Sequence, residues 1–361
     1  MKKHLKISLI FVLLVILSSC QKKPEVHKET FYGTFDTSID YLSYAKSERD
    51  YKEEISLVKS EYQRLNDLYD NFNNHDGIVN VKSLNDMAGK GPVKVEDDLF
   101  NIIKFSKDNY EKTNGKLNIA MGNLIAVWTD ARTYNTGGGD ITGKMIDEKD
   151  MIIPNDKQLE EASKHMNIDD IVLDEANRTV EIKDPMLKID LGAIGKGYAT
   201  EIIANKLEEK GVKHASINAG GNVRNIGTPG DGRDKWGIGI QNPELGDSDF
   251  LEVFYIGESS VVTSGDYQRY FEKDGIRYHH IIDPDTHKPG GEFNSVTIVT
   301  KDSGLADYLS TSLFLSSKEE AEEILKNYEG VEVLWYSKEK GKTSTDGLRQ
   351  YMKSEEDKSS K

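Results

Sequence analysis

The chain has 361 residues, with 62 acidic and 47 basic side chains and a formal net charge of −15. A protein with this negative charge is not expected to bind nucleic acid or anionic lipid directly, because both are also negatively charged. Its length allows one large domain or two smaller ones, and its single cysteine, Cys20, excludes a disulfide within the chain.

The first twenty residues have the pattern of a secretory leader. Three lysines among the first six residues precede an apolar run over residues 7–17, which is too short for a comfortable transmembrane helix. The sequence that follows, Leu17-Ser18-Ser19-Cys20, resembles a bacterial lipobox, in which the cysteine is lipidated after cleavage. We predict a signal peptide over residues 1–19, a polar tether over residues 20–30, and a lipoprotein anchored through Cys20 to the outer face of the cell membrane. The alternatives are an uncleaved anchor and a coincidental cysteine.

Hydrophobic periodicity predicts the elements of the folded body. Apolar residues at helical spacing, such as Ile55, Val58 and Leu65, predict a long amphipathic helix over residues 48–72. Further helices are predicted over residues 95–113, 158–166, 199–210, 304–315 and 318–328. Strands are predicted over residues 31–41, 171–189 (two short strands), 214–218, 236–241, 250–264, 270–282, 295–300 and 331–336. Residues 134–144 are predicted to form a loop or insertion.

The order of these elements predicts the fold class and the extent of the folded body. Helices and strands are mixed without strict βαβ alternation, which favours an α+β or mixed α/β body. The charged, serine-rich end of the chain is typical of disorder. We therefore predict a polar, disordered tail over residues 346–361.

A glycine-rich turn joins a predicted strand to a predicted helix at residues 187–199. Three glycines, Gly192, Gly195 and Gly197, leave no Cβ between the backbone and a ligand. An acid, Asp190, and a base, Lys196, flank this bare backbone. The pattern predicts a ligand-binding turn, and a plain strand-to-helix turn is the alternative.

Three later segments carry further chemistry. Residues 216–222 place two more glycines after a short strand, and alternation along residues 278–282 directs only one of His279 and His280 to a given face. Asp307 and Thr311 are four residues apart on a helix and therefore share a face. Their oxygens suit a hard cation such as Mg²⁺, with a backbone carbonyl from a glycine turn as a further ligand. The alternatives are an aspartate near a helix dipole, a core threonine and exposed histidines.

Taken together, these motifs resemble those of the FAD:protein FMN transferase (ApbE-like) family. The matching segments, in family order, are YGTF at 32–35, DLGAIGKGYA at 190–199, NAGGN at 218–222, TSGDYQRYF at 263–271, HHIIDPDTHKP at 279–289 and ADYLST at 306–311. Each motif alone is weak, whereas the ordered set is specific and spans nearly the whole mature chain. The resemblance implies one transferase domain over residues 31–345, with mixed, largely antiparallel sheets flanked by helices.

The resemblance also implies an activity. Members are Mg²⁺-dependent enzymes outside the cytoplasm, often lipoproteins, that cleave the diphosphate of FAD. They attach FMN to a threonine or serine hydroxyl of an acceptor protein and release AMP. Two other functions stay open: an FAD pyrophosphatase that gives FMN and AMP, and a flavin-binding lipoprotein without catalysis.

Site residues follow from the resemblance position by position. The residues matched to metal ligands are Asp307, Thr311 and, through its carbonyl, Ala193. The residues matched to flavin-nucleotide contacts are Tyr32, Phe72, Asn118, Ile119, Ala120, Asp190, Lys196, His280 and Ile282. We predict His280 as the general base because the reference pKa of histidine is about 6.5, and Asp307 is the second candidate.

The sequence departs from the usual family pattern at two of these positions, Tyr32 and Asn118, and a third position, Ser310, differs from some members. Tyr32 stands where the family usually has methionine, and Asn118 stands where it usually has aspartate. Ser310 falls on a position that is an acidic metal ligand in some members. The two departures concern binding of the nucleotide and leave the proposed metal ligands unchanged.

Overall fold

A computed structural model describes residues 25–137, 146–244 and 250–352. The helices of this part are α1 (Glu48–Tyr69), α2 (Val81–Asp86), α3 (Asp97–Tyr110), α4 (Gly122–Asn135), α5 (Asp156–Ser163), α6 (Gly195–Glu209), α7 (Ser303–Phe314) and α8 (Lys318–Leu325). Its strands are β1 (Glu25–Thr34), β2 (Thr37–Ala45), β3 (Val93–Lys94), β4 (Ile171–Asp174), β5 (Thr179–Ile182), β6 (His214–Ala219), β7 (Asn222–Gly227), β8 (Trp236–Gln241), β9 (Phe250–Ile256), β10 (Ser259–Gly265), β11 (Tyr270–Lys273), β12 (Ile276–His279), β13 (Ser295–Thr300), β14 (Glu332–Ser337) and β15 (Gly341–Ser344).

Within the described residues, an eight-stranded sheet forms the centre of the fold. Its strand order is β1-β2-β6-β7-β10-β13-β14-β15, and every neighbouring pair is antiparallel. The main hydrophobic core contains side chains of α1, α6 and α7 together with those of the sheet. A second core joins side chains of the β8–β9 hairpin to others from the sheet, such as Val261 and Val299. The predicted fold class, with largely antiparallel sheets and flanking helices, is confirmed.

Local sequence explains the two helices that matter most for the site. Ser47 caps α1 by accepting a hydrogen bond from the Asp50 N–H at 3.2 Å, and the apolar stripe of α1 is buried. Asp302 caps α7 by accepting from the Leu305 N–H at 2.8 Å. Because α7 is buried on nearly all sides, its polar residues face protein groups or a cavity rather than bulk water.

A smaller unit packs beside the main sheet and consists of α4, α5 and the β11–β12 hairpin. Its own apolar cluster includes Leu124, Trp128 and Phe271. The indole N–H of Trp128 donates to the carbonyl of His287 at 2.9 Å, which ties α4 to the segment after β12. Sequence periodicity missed α4, because its apolar face is short and polar residues interrupt it.

Several predicted strands are hairpins in the structure. Residues 31–41 divide between β1 and β2, residues 250–264 between β9 and β10, and residues 270–282 contain β11 and β12. The turns explain the breaks, since Phe35 and Asp36 at one turn and Asp274 at another adopt positive φ, as two-residue hairpin turns require. Asp274 and Gly275 both have positive φ and form the two-residue turn between Lys273 and Ile276.

Both predicted ends of the folded body need correction. Residues 25–30, predicted as tether, belong to β1, because their backbone pairs with β2 from Glu25↔Ala45 onward. Residues 346–352, predicted as tail, begin with a 3₁₀ helix over Asp346–Tyr351, whose Leu348 is fully buried in the second core. The predictions for residues 1–24, which include Cys20, for 353–361 and for residues 138–144 of the predicted loop lie outside the described residues. The first two residues of that predicted loop, 134 and 135, belong to α4 instead. In the described part, no helix combines the length and apolar character needed to cross a membrane.

Candidate active site

A cavity of about 530 Å³ lies between the eight-stranded sheet and the smaller unit formed by α4, α5 and the β11–β12 hairpin. Its walls are the turn before α6, the end of α1, the face of α7 and the segments that flank the β11–β12 hairpin. The predicted site residues that line it are Phe72, Asn118, Ile119, Asp190, Ala193, Lys196, His280, Ile282, Asp307 and Thr311. Positions far apart in the sequence therefore meet at one cavity.

Because Gly197 has no Cβ, the first turn of α6 can pack closely against α7. A Cβ at this position would collide with the Asp307 Cβ and the Ser303 carbonyl oxygen, so a larger residue would push α6 and α7 apart. The Gly197 N–H donates to Oδ2 of Asp307 at 2.7 Å. Because α6 begins at Gly195, two of the three glycines lie in its first turn rather than before it.

Asp307 is a buried carboxylate, with 5% of its surface exposed. Burial raises its pKa, and both the nearby Lys196 ammonium and the Gly197 N–H oppose that shift. No described residue forms an ion pair with it within 4.0 Å. A buried carboxylate is costly unless it is paired or binds a metal, so this site favours a cation.

Asp307, Thr311 and Ala193, which carry oxygen donors of the type that Mg²⁺ prefers, all line the same cavity. Thr311 lies on the same side of α7, and the Ala193 carbonyl group belongs to a residue that lines the same cavity. In the part of the chain that the structure describes, no three His, Cys, Asp or Glu side chains cluster as a metal cage. Mg²⁺ commonly takes one or two carboxylates and completes its octahedron with water and substrate phosphates. This donor set therefore fits Mg²⁺.

The Ser264 hydroxyl links the hydroxyl groups of Thr311 and Ser310. The Ser264 hydroxyl lies 3.2 Å from Oγ1 of Thr311 and 2.8 Å from Oγ of Ser310. Ser310 is fully buried and donates to the Asp307 carbonyl at 2.9 Å. The Ser310 hydroxyl thus bonds to its own helix and to Ser264, and Ser264 is a cavity residue that the sequence analysis did not single out.

Asp190 is held in one orientation at the start of the glycine turn. Its Oδ1 accepts from the Gly192 N–H and its Oδ2 from the Asn71 side chain, both at 2.7 Å. Burial raises its pKa, and these two donors oppose the shift. Asn71 was missed, because it is one of three asparagines in the polar stretch over residues 70–76 and nothing local distinguishes it.

The two adjacent histidines have different surroundings, as strand alternation predicted. The described residues that line the cavity include His280 but not His279. The His279 ring instead packs edge-on against Phe314, with ring centroids 5.6 Å apart. His280 follows the last residue of β12, and its N–H donates to the Arg269 carbonyl at 3.1 Å.

The prediction that His280 titrates near its reference pKa needs correction. Burial, followed by the charges of Arg269 and Lys196, lowers the pKa of His280 to about 3. Its Nδ1 is buried and has no hydrogen-bond partner among the described residues. The imidazole of the free protein is therefore neutral at pH 7.

Some of the predicted nucleotide contacts line the cavity, whereas others do not. Phe72 is 69% exposed at the cavity, so its ring is available for stacking against a flat ligand. Asn118 also lines the cavity, but its amide already accepts from the Ala120 N–H at 2.9 Å and donates to the Met166 carbonyl at 2.8 Å.

Tyr32 and Ala120 do not line the cavity. Tyr32 is 75% exposed and lies where the pairing of β1 with β2 is interrupted, while Gly33 and Phe35 reach the cavity instead. Ala120 is fully buried. Neighbours of both residues in the sequence do line the cavity, so the irregular strand and the turn decide which side chains face it.

Two arginines also line the cavity, Arg132 at the end of α4 and Arg269 before β11. Sequence analysis singled out neither. Arg269 lies within the quoted segment TSGDYQRYF, whereas Arg132 lies in the helix that periodicity missed.

Comparison with known proteins identifies the family. The model of the ApbE family matches residues 35–335. The FAD:protein FMN transferase of Klebsiella pneumoniae (strain 342) is 30% identical over 259 residues, which cover 72% of this chain and 75% of the relative. The FAD:protein FMN transferase of Treponema pallidum (strain Nichols) is 30% identical over 281 residues, covering 74% and 73%. This chain belongs to the ApbE family.

Solved structures agree with that assignment. The crystal structure of the ApbE protein from Thermotoga maritima superposes with a TM-score of 0.76 at 26% identity, and the match covers 91% of this chain and 100% of the other. The flavin transferase ApbE from Vibrio cholerae, at 22% identity, has the same fold with a TM-score of 0.75, covering 91% and 99%.

Proposed function

We propose that this protein is an FAD:protein FMN transferase. It cleaves the diphosphate of FAD, attaches FMN to a threonine or serine hydroxyl of an acceptor protein and releases AMP. Family membership and the names of its relatives support this reaction. The observation that carries the proposal is the buried Asp307 carboxylate, which faces the same cavity as Lys196 and His280 and has no ion-pair partner within 4.0 Å in the described residues.

Asp307, Thr311 and the Ala193 carbonyl would hold Mg²⁺ in this reaction. A bound divalent cation supplies Lewis-acid stabilisation of the charge on a diphosphate. Lys196 contributes a further positive charge to the same wall of the cavity, close enough to act on Asp307. Phosphoryl-type transfer depends mainly on such positioning and charge stabilisation, so this set of residues suits the reaction.

His280 would accept the proton of the acceptor hydroxyl. Its low pKa keeps the ring neutral, so a ring nitrogen is free to accept a proton without first losing one. The same low pKa makes the free ring a weak base. An anionic substrate beside the ring would raise that pKa, because a nearby negative charge favours the protonated form.

The reaction is tested by incubating the purified protein with FAD and Mg²⁺, with and without an acceptor protein. We expect AMP and covalently bound flavin to form in equal amounts, and only when the acceptor is present. AMP release at the full rate without acceptor would instead indicate a pyrophosphatase. FAD binding without any AMP would indicate a carrier.

We also propose that Cys20 anchors the protein to the outer face of the cell membrane. The basic, apolar and lipobox-like order of residues 1–20 supports this location. Cys20→Ala should abolish incorporation of labelled palmitate and shift the protein out of the membrane fraction or leave its leader uncleaved. Transfer activity of the soluble body should be unchanged. Equal palmitate labelling of the variant would contradict the anchor.

A further inference from the structure

Arg132 and Arg269 bring two guanidinium groups to one side of the cavity. Along α4, Ile125, Thr129 and Arg132 all line it, so this side of the helix directs Arg132 inward. Arg269 comes from the segment after β10, and its Nη2 donates to the Asp36 carbonyl at 3.0 Å. The two arginines are thus anchored on separate elements and converge on the same space.

No carboxylate balances these two charges in the described part of the chain. Neither guanidinium lies within 4.0 Å of a described Asp or Glu, whereas other arginines, such as Arg64, Arg224 and Arg277, each contact two or more. Burial lowers the pKa of Arg132, and the charge of Arg269 lowers it further. Without a ligand the pair is therefore electrostatically unfavourable.

The ring of His280 lies among these cations. Arg269, Lys196 and Arg132 all act on it electrostatically. The adjacent Nδ1 of His280 has no partner in the described residues. This region of the cavity therefore carries three positive charges, as a site for a multiply charged anion would.

We propose that Arg132 and Arg269 form a phosphate subsite that binds a phosphate group of the flavin nucleotide beside His280. The inference rests on the proposed function for its choice of FAD. Guanidinium groups suit this role because their planar N–H donors match phosphate oxygens in pairs. The subsite would distinguish phosphorylated flavins from riboflavin, which has the same ring system and no phosphate.

Equilibrium binding without Mg²⁺ and without acceptor tests the subsite apart from catalysis. The double variant Arg132→Gln/Arg269→Gln should bind FAD about 10- to 100-fold more weakly, as expected for the loss of charged hydrogen bonds. Its affinity for riboflavin should be unchanged. FMN and AMP are tested in parallel, and a selective loss for either one supports the subsite and identifies which phosphate it binds.

A matched control has the same change in charge outside the cavity. Arg49 and Arg349 have side chains that are 86% and 79% exposed, so Arg49→Gln/Arg349→Gln should leave FAD affinity unchanged. If Arg132→Gln/Arg269→Gln weakened the binding of FAD and of riboflavin equally, the proposal would be overturned. Unchanged FAD affinity in this variant would also overturn it. Unchanged FAD affinity together with weakened binding of the acceptor protein would show that the two arginines bind an acidic group of the acceptor instead.

Thermal unfolding separates a ligand subsite from a structural role. Because Arg132 is close to another cation and has no hydrogen-bond partner for its guanidinium among the described residues, Arg132→Gln alone should not lower the melting temperature of the free protein. It should still weaken FAD binding. A lowered melting temperature with full FAD affinity would make Arg132 a structural residue and overturn the proposal. This readout does not require transfer activity, so it stands if the proposed reaction fails.

Discussion

Replacing Asp307 by asparagine should lower the rate of FMN transfer by at least about 10³-fold, because metal-assisted stabilisation of a diphosphate contributes several kcal/mol. The amide keeps an oxygen that can accept from the Gly197 N–H, so α6 and α7 should stay in contact. It loses the only carboxylate of the proposed Mg²⁺ set. AMP release and covalent flavin, measured over a series of Mg²⁺ concentrations, should both fall.

Stability should not fall with activity in this variant. Burial raises the pKa of Asp307, so its charged form is disfavoured in the folded state and the neutral amide relieves that cost. We therefore expect the metal-free melting temperature to be unchanged or higher. Asp346→Asn is the control, because that side chain is 97% exposed and outside the cavity. Full activity of Asp307→Asn, or parent activity that survives EDTA, would show that no metal is held there.

Replacing His280 by alanine should slow transfer by about 10²- to 10⁴-fold, the usual contribution of a general base. FAD affinity should change much less. Unlike a histidine of ordinary pKa, His280 should give no rise of kcat/KM with pH near 6.5, because kcat/KM reports the free enzyme, in which the pKa is lowered to about 3. The measurement is kcat/KM from about pH 5 to 8, combined with NMR titration of the imidazole.

His279→Ala is the matched control on the neighbouring residue. His279 packs against Phe314 outside the cavity, so its loss should lower stability more than turnover. Equal loss of turnover in both variants would mean that the segment, rather than the His280 ring, matters. An imidazole limb near pH 6.5 that disappears in His280→Ala would contradict the buried, cation-surrounded position of the ring.

The lowered pKa of His280 in the folded protein also makes the free energy of unfolding depend on pH. The unfolded ring takes up a proton near pH 6.5, whereas the folded ring takes it up near pH 3. The unfolded state therefore binds more protons between these values, and the contribution of His280 to stability is lost as pH falls through this window. Above the upper value both states are neutral and the contribution is constant.

The sequence by itself determined the features that depend on short spacings. The order of motifs indicated the family, the four-residue spacing placed Asp307 and Thr311 on one side of a helix, and alternation separated His279 from His280. These are consequences of local backbone geometry, which repeats every 3.6 residues in a helix and every two in a strand. Most helices were predicted for the same reason.

Only the tertiary structure decided which side chains share the cavity and what charge they carry there. The contact between Gly197 and Asp307 joins residues 110 positions apart, and the low pKa of His280 arises from burial and from cations on three different segments. The convergence of Arg132 on Arg269 and the exclusion of Tyr32 from the cavity depend likewise on how separate elements pack. Burial and long-range charge are properties of the packed chain, and no local pattern of residues encodes them.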